Sequence, residues 1–275
     1  EGGWNSDCTA HTQNASLTVL DGSSTNPVLA MHRINGYETV RWLTIQNGKS
    51  SGSGAGLTLS PTNPFVESNG TQIISDTIIR DNVSGGMGGG IFILNYAPST
   101  FIYLENNLIV GNHADGSFGA AKIDSGGVPV SLINNTVAHN TTGSAGGVGG
   151  IYVHTDNSNS GSNTLTILDN IFWDNGLYSL DIDSTGAFLD YNDIDASTGS
   201  APFETVGGMS VNPLFVDGTS DFHLQSGSPL FHVSPSGDRT AVDPEGHGYP
   251  QNGNADIGAY SDTLFTDGFD TFHGT

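Results

Sequence analysis

Three aspartates, one lysine and one histidine stand at matching places in a pattern that repeats along this 275-residue chain. Asp181 and Asp183 are two residues apart, the separation that sends both side chains to one side of a strand. Paired carboxylates perform acid and base chemistry in glycoside hydrolysis. With Asp124 they form an all-oxygen set of the kind that Ca2+ prefers. Lys122 lies two residues before Asp124. An amine in that setting can remove a proton beside a uronate once a metal neutralises the carboxylates around it. Phe92 and Tyr152 stand in the repeats on either side at the place of Lys122, and His154 at the place of Asp124. Exposed aromatic rings stack on sugar faces, while His and carboxylates bind hydroxyls. A structural arrangement is also open, with Lys122 paired to Asp124 or Asp181 and the rings covering a strand face.

The elements that must position these residues are short strands in a repeat. The segments Leu43–Gly48, Thr77–Asn82, Asn107–Asn112, Asn135–Asn140 and Asn170–Asn175 align without gaps, and Asn192–Asp195 is a weaker sixth. Their apolar column is Ile45, Ile79, Ile109, Val137, Phe172 and Ile194, at spacings of 34, 30, 28, 35 and 22. A second set follows: Gly56–Leu59, Gly90–Ile93, Ala120–Ile123, Gly150–Val153 and Ser179–Ile182. Apolar and variable residues alternate within each, which is a strand period. Ile102–Leu104, Val130–Leu132 and Leu165–Ile167 supply a third set. Three strands in a repeat of ~30 residues, none able to fold alone, predict one coil of a parallel β-solenoid. In that fold the outward columns Thr58, Phe92, Lys122, Tyr152, Asp181 and Ser60, Leu94, Asp124, His154, Asp183 form one strip, with neighbours ~4.8 Å apart. A register error of one residue would turn the strip inward.

The recurring Asn fits the same geometry. Asn82, Asn112, Asn140 and Asn175 form one column, and Asn107, Asn135, Asn170 and Asn192 another. Asn tolerates the left-handed conformation of a tight corner, and stacked amides can bond from coil to coil. Of the glycosylation triplets at Asn14, Asn69, Asn82, Asn134 and Asn140, three overlap these columns and are predicted buried. The Gly-rich runs at 85–90, 114–119 and 146–150 read as tight turns, since they lack the Gly-Lys-Ser/Thr ending of a phosphate loop. No His pair suggests zinc, no nucleophile elbow is present, and no outward Thr array suggests ice binding. Trp173 lies in an outward column with Arg80 and Val110, either as a second sugar platform or as a residue packed under a loop.

Composition narrows the function. The chain has 28 Asp+Glu against 6 Lys+Arg, a formal charge of -22. It lacks the cations a nucleic-acid binder needs, and no apolar run is long enough for a membrane-spanning helix. The charge repels anionic polymers unless Ca2+ intervenes and so favours a neutral glycan. With 39 Gly and 35% hydrophobic residues, the chain reads as ordered and all-β.

Asn135–Asn140 followed by Gly146–Val153 resembles the coils of secreted bacterial right-handed parallel β-helix proteins, including pectate-lyase-like folds. Asn212–Asp217, Asp221–Pro229 and Asp256–Tyr260 resemble the ending of bacterial "choice-of-anchor" β-helix proteins. The resemblance implies an extracellular or cell-surface protein, but that group contains lyases, hydrolases, glycan binders and members of no known activity. The expected organisation is a single β-helix domain over 1–260. It has an irregular first coil at 1–40, regular coils at 41–195, and a segment at 196–260 that covers the open end. A tail at 261–275 resembles a sorting motif or a docked strand. Gly2-Gly3-Trp4 resembles a strand end from inside such domains, which implies an upstream partner for Cys8; a free buried thiol is the alternative. The expected function is a monomeric extracellular protein binding polysaccharide along the strip through Phe92, Tyr152, His154 and Trp173. The alternatives are an adhesin or structural passenger without catalysis, and a lyase or hydrolase using Lys122, Asp181 and Asp183. Ca2+ on Asp124, Asp181 and Asp183 is the one cofactor the residues suggest.

Overall fold

The structure is a computed structural model that describes residues 1–5, 7–32, 37–60, 71–95, 100–155, 165–184, 186–200, 202, 204–235, 242–249 and 254–261. The period-2 segments form three seven-stranded parallel sheets wound into a right-handed β-helix. The first sheet holds Thr44–Gln46, Ile78–Arg80, Leu108–Val110, Thr136–Ala138 and Ile171–Trp173 between its outer strands Val19–Asp21 and Asp193–Ile194. The second holds Leu57–Leu59, Ile91–Leu94, Ala121–Asp124, Val148–His154 and Tyr178–Asp183 between Leu29–Met31 and Ser197–Gly199. The third runs from Glu38–Arg41 to Glu204–Val206. The helical winding thus continues past residue 195, because Ser197–Gly199 and Glu204–Val206 still pair with the coil before them.

Inward side chains stack into one core. Ile45, Ile79, Ile109, Val137 and Phe172 are fully buried from the first sheet, and Leu57, Ile91, Ala121, Ile151 and Leu180 from the second. Each Leu or Ile removed from water contributes ~1.5–3 kcal/mol, and every coil adds about the same set. Stability therefore grows with the number of stacked coils rather than with any one contact.

The first four regular coils also carry a two-residue strand beyond the three expected: Lys49–Ser50, Val83–Ser84, His113–Ala114 and Thr141–Thr142 pair as a fourth sheet. The Gly-rich turns follow it and lie flat on the next coil. A Cβ on Gly89 would sit 2.3 Å from the His113 carbonyl oxygen, and one on Gly149 1.9 Å from that of Asn175. Close backbone approach explains these glycines.

Both Asn columns are buried ladders. Asn112 Oδ1 accepts from the backbone N and Nδ2 of Asn82 at 3.1 and 2.9 Å, and Asn112 Nδ2 donates to Asn140 Oδ1 at 2.9 Å. Asn107, Asn135, Asn170 and Asn192 repeat the pattern. The left-handed residue, however, is the one before each ladder Asn. Asp81, Asn106, Asn134, His139, Asp169, Asp174 and Tyr191 have φ between 52° and 58°, and Gly111 has 65°. The corner turns at that residue, and the next side chain is thereby aimed inward, where an amide can satisfy its own coil and the one beside it. The triplet residues Asn82, Asn134 and Asn140 are fully buried. The triplet at Asn69 lies outside the described residues.

From Phe215 on, the described residues of the C-terminal segment lie along the side of the β-helix. The segment runs back along the outward face of the first sheet, where Leu108, Val110, Ala138 and Ile171 pack against Phe215, Phe222, Leu224, Leu230, Ile257 and Tyr260. Phe215–Asp217 and Asp221–Leu224 form an antiparallel hairpin within it. The segment then reaches the first coil, where Ala15 N donates to the Pro244 carbonyl at 2.7 Å. The cause is visible in Leu108-Ile109-Val110 and Ile171-Phe172-Trp173: strands apolar on both faces need cover on both. Past the last strands, a cavity of about 540 Å³ opens among Ile182, Leu189, Ile194, Thr198, Pro202 and Met209. Cys8 is a free, exposed thiol, so the expectation of a buried one does not hold. Of the tail at 261–275, all but Ser261 lies outside the described residues. No helix among the described residues is long and apolar enough to cross a membrane.

Candidate functional site

The strip forms in the expected register. Phe92 pairs with Lys122, Lys122 with Tyr152 and Tyr152 with Asp181; Leu94, Asp124, His154 and Asp183 follow the same order. Their strand neighbours Ile91, Ile93, Ala121, Ile123, Ile151, Val153, Leu180 and Ile182 fill the core, so alternation turns the strip residues outward.

Within the strip the charges meet. Lys122 Nζ lies 3.5 Å from Asp124 Oδ2, and the two side chains are only 18% and 14% exposed. The same ammonium stands 5.7 Å from the centre of the Phe92 ring, within reach of a cation–π attraction. His154 Nδ1 sits between two carboxylates, 3.8 Å from Asp124 Oδ1 and 4.0 Å from Asp183 Oδ2. Tyr152 donates its hydroxyl to Asp183 Oδ2 at 3.1 Å. Burial, then the bond to Asp183 and the surrounding carboxylates, holds the Tyr152 phenol neutral and pushes its pKa up. Burial and the neighbouring Asp183 also push the Asp181 carboxyl up. Asp181 faces the next coil, where a Cβ on Gly199 would approach its Oδ1 to 2.6 Å.

One member is absent from the sequence reading. Phe118 lies in the turn before Ala121–Asp124, and its ring stacks on Tyr152 at 4.5 Å between centroids and 21° between planes. Its φ is 66°, a conformation costly for a bulky side chain. The equivalent residues of the two preceding coils are Gly54 and Gly88, with φ of 71° and 66°. An aromatic residue where the two preceding repeats have Gly is the signal that could have found it.

Trp173 is not part of this group. It projects from the first sheet and is half-buried beside the cluster under the C-terminal segment. The two carboxylates flanking His154 are otherwise engaged, Asp124 by Lys122 and Asp183 by Tyr152. Among the described residues no group of three or more His, Cys, Asp and Glu is placed to hold a metal ion.

The fold defines the class: a right-handed parallel β-helix carrying one ionic and aromatic strip on its second sheet. Comparison with family models, curated proteins and solved structures found no match.

Proposed function

We propose that the outward face of the second sheet binds a polysaccharide. The observation that carries this reading is the alignment of Phe92, Lys122, Tyr152 and Asp181, with Asp124, His154 and Asp183 beside them, over four successive coils. A surface with a strand every ~4.8 Å offers a long polymer a repeated contact rather than a single pocket. Phe118 and Tyr152 form an aromatic wall, and the Lys122–Asp124 and His154–Asp183 groups supply donors and acceptors for hydroxyls. The charge of -22 favours a neutral glycan. The resemblance to secreted bacterial β-helix proteins supports an extracellular or cell-surface setting, in which the protein acts as a monomer.

A second reading, hydrolysis, is favoured by Asp181. Its carboxyl is pushed up by burial and by Asp183 on the same strand, which suits a general acid. Lys122, already paired with Asp124, reads as a charged anchor. A purely adhesive role is the third possibility.

Phe118→Gly separates these readings from folding, because Gly already occupies this position in the two preceding coils. The variant should keep its Tm and lose roughly tenfold in affinity, about 1.4 kcal/mol, for whichever neutral polysaccharide retards the parent in an affinity gel. Unchanged retardation would remove the strip from the binding site. Release of reducing ends by the parent, lost in Asp181→Ala, would make the protein a hydrolase. Repeating the assays with Ca2+ and with EDTA tests metal bridging at Asp124, Asp181 and Asp183.

A further inference from the structure

A second site lies on a different face. Between the first sheet and the hairpin at Phe215–Leu224 is a cleft of about 360 Å³, lined by Arg80, Asp81, His139, Thr219, Ser220 and an apolar floor. That size is within the range of small-molecule sites. The floor is Leu108, Val110 and Phe222, each less than a tenth exposed. The hairpin tip is fixed by Asp217, which accepts from the Thr219 backbone N and hydroxyl at 2.9 and 2.7 Å and from Ser220 Oγ at 3.1 Å.

His139 is the most informative residue of the cleft. Its Nδ1 lies 3.0 Å from Asp174 Oδ2. A carboxylate accepts, so Nδ1 carries the proton and Nε2 presents a lone pair. Nε2 is buried without a hydrogen-bond partner in the protein. It points toward the tip, 3.8 Å from where a Cβ on Gly218 would stand. A buried polar atom left without a partner costs ~1–3 kcal/mol, so this nitrogen calls for a hydroxyl donor. Opposite it, Arg80 is held by Gln46, whose Oε1 accepts from Nε and Nη2 at 2.9 and 2.7 Å. The guanidinium has five N–H groups and keeps donors for a ligand.

We propose that this cleft binds one neutral sugar residue or polyol. Donor and acceptor groups stand around an apolar floor, which matches the polar rim and apolar face of such a molecule. The one cation is compensated locally, Arg80 by Asp81 at 4.0 Å, and the neutral His139 donates to the Asp174 carboxylate. The cleft therefore carries no excess positive charge for an anion. This site is independent of the second-sheet strip.

Gly218→Val fills the cleft from the tip, where the added Cβ stands in ordinary contact with His139 Nε2 at 3.8 Å. His139→Asn, acceptable at a left-handed position, removes the imidazole. The probes are glucose, galactose, glycerol and glucuronate, titrated into 15N-labelled protein. Saturable shifts of the His139 Nε2 resonance and of the Gly218–Ser220 amides with a neutral probe are expected. Both variants should weaken binding roughly tenfold, read from the Thr219 and Ser220 amides, while Phe118→Gly leaves it intact. No shift with any neutral probe, equal shifts in Gly218→Val, or preference for glucuronate would overturn the proposal. If Gly218→Val fails to fold, His139→Asn decides the question alone.

Discussion

At the scale of single residues, the ladder asparagines do the most for stability and the strip residues the most for function. Asn112 illustrates the first. Its Oδ1 accepts two bonds from Asn82, and its Nδ2 donates to Asn140, to the Ile79 carbonyl at 2.9 Å and to the Val110 carbonyl at 3.2 Å. Asn112→Ala leaves several buried groups of neighbouring coils without partners, each costing ~1–3 kcal/mol. A loss of about 3 kcal/mol or more is expected, read as a lowered urea midpoint, whereas Asn26→Ala on an exposed turn should change little. Equal effects would mean that the ladder contributes no more than a surface side chain. The ladder columns were legible in sequence because a side chain that bonds its own equivalent must recur at every coil. The left-handed corner residue was not, because Asp, Asn, Gly, His and Tyr all occupy it and no single type marks it.

At the scale of elements, the C-terminal segment depends on one histidine cluster. His223 Nδ1 is 2.6 Å from Asp221 Oδ1, its Nε2 is 3.5 Å from Glu245 Oε2, and its ring stacks on Tyr260 at 4.0 Å. These contacts tie the hairpin to the two stretches that follow it. Burial alone would favour the neutral ring, but Glu245 and Asp221 outweigh it and push His223 up to about 9. A histidine whose folded pKa exceeds its ordinary value stabilises the fold fully below pH ~6.5, and that contribution disappears as the pH rises through the folded value. Tm should therefore fall from about pH 7.5 to pH 9, and His223→Gln should flatten that interval while lowering Tm at neutral pH. Asp76, pushed up to about 7 by burial, opposed by Ser75 and reinforced by Glu105, has largely titrated by then. Tyr260 is pushed up by burial and by nearby carboxylates and stays neutral throughout. A flat profile in the parent would show that the segment is held by its apolar contacts alone.

At the scale of the whole molecule, 28 acidic residues face 6 basic ones on a body stabilised coil by coil. Their mutual repulsion acts across several coils at low salt, where the screening length is ~30 Å, and is cut to ~8 Å at physiological ionic strength. Tm should rise as NaCl increases over that range. A further rise with millimolar CaCl2 at matched ionic strength would reveal a bound cation, and its absence would leave screening as the whole effect.

The sequence by itself determined the coil, its core columns and the outward strip. Alternation is a local property, and parallel coils in register repeat it at one spacing, so each residue's face follows from its place in the repeat. Only the tertiary structure decided that Lys122 pairs with Asp124 along its own strand, that Phe118 turns onto Tyr152, and that Trp173 belongs elsewhere. It also decided that residues far along the chain return to cover the first sheet and enclose the cleft at His139. These arrangements rest on contacts between segments whose separation no periodicity encodes. The doubly apolar strands announced that something must cover them, and packing chose what.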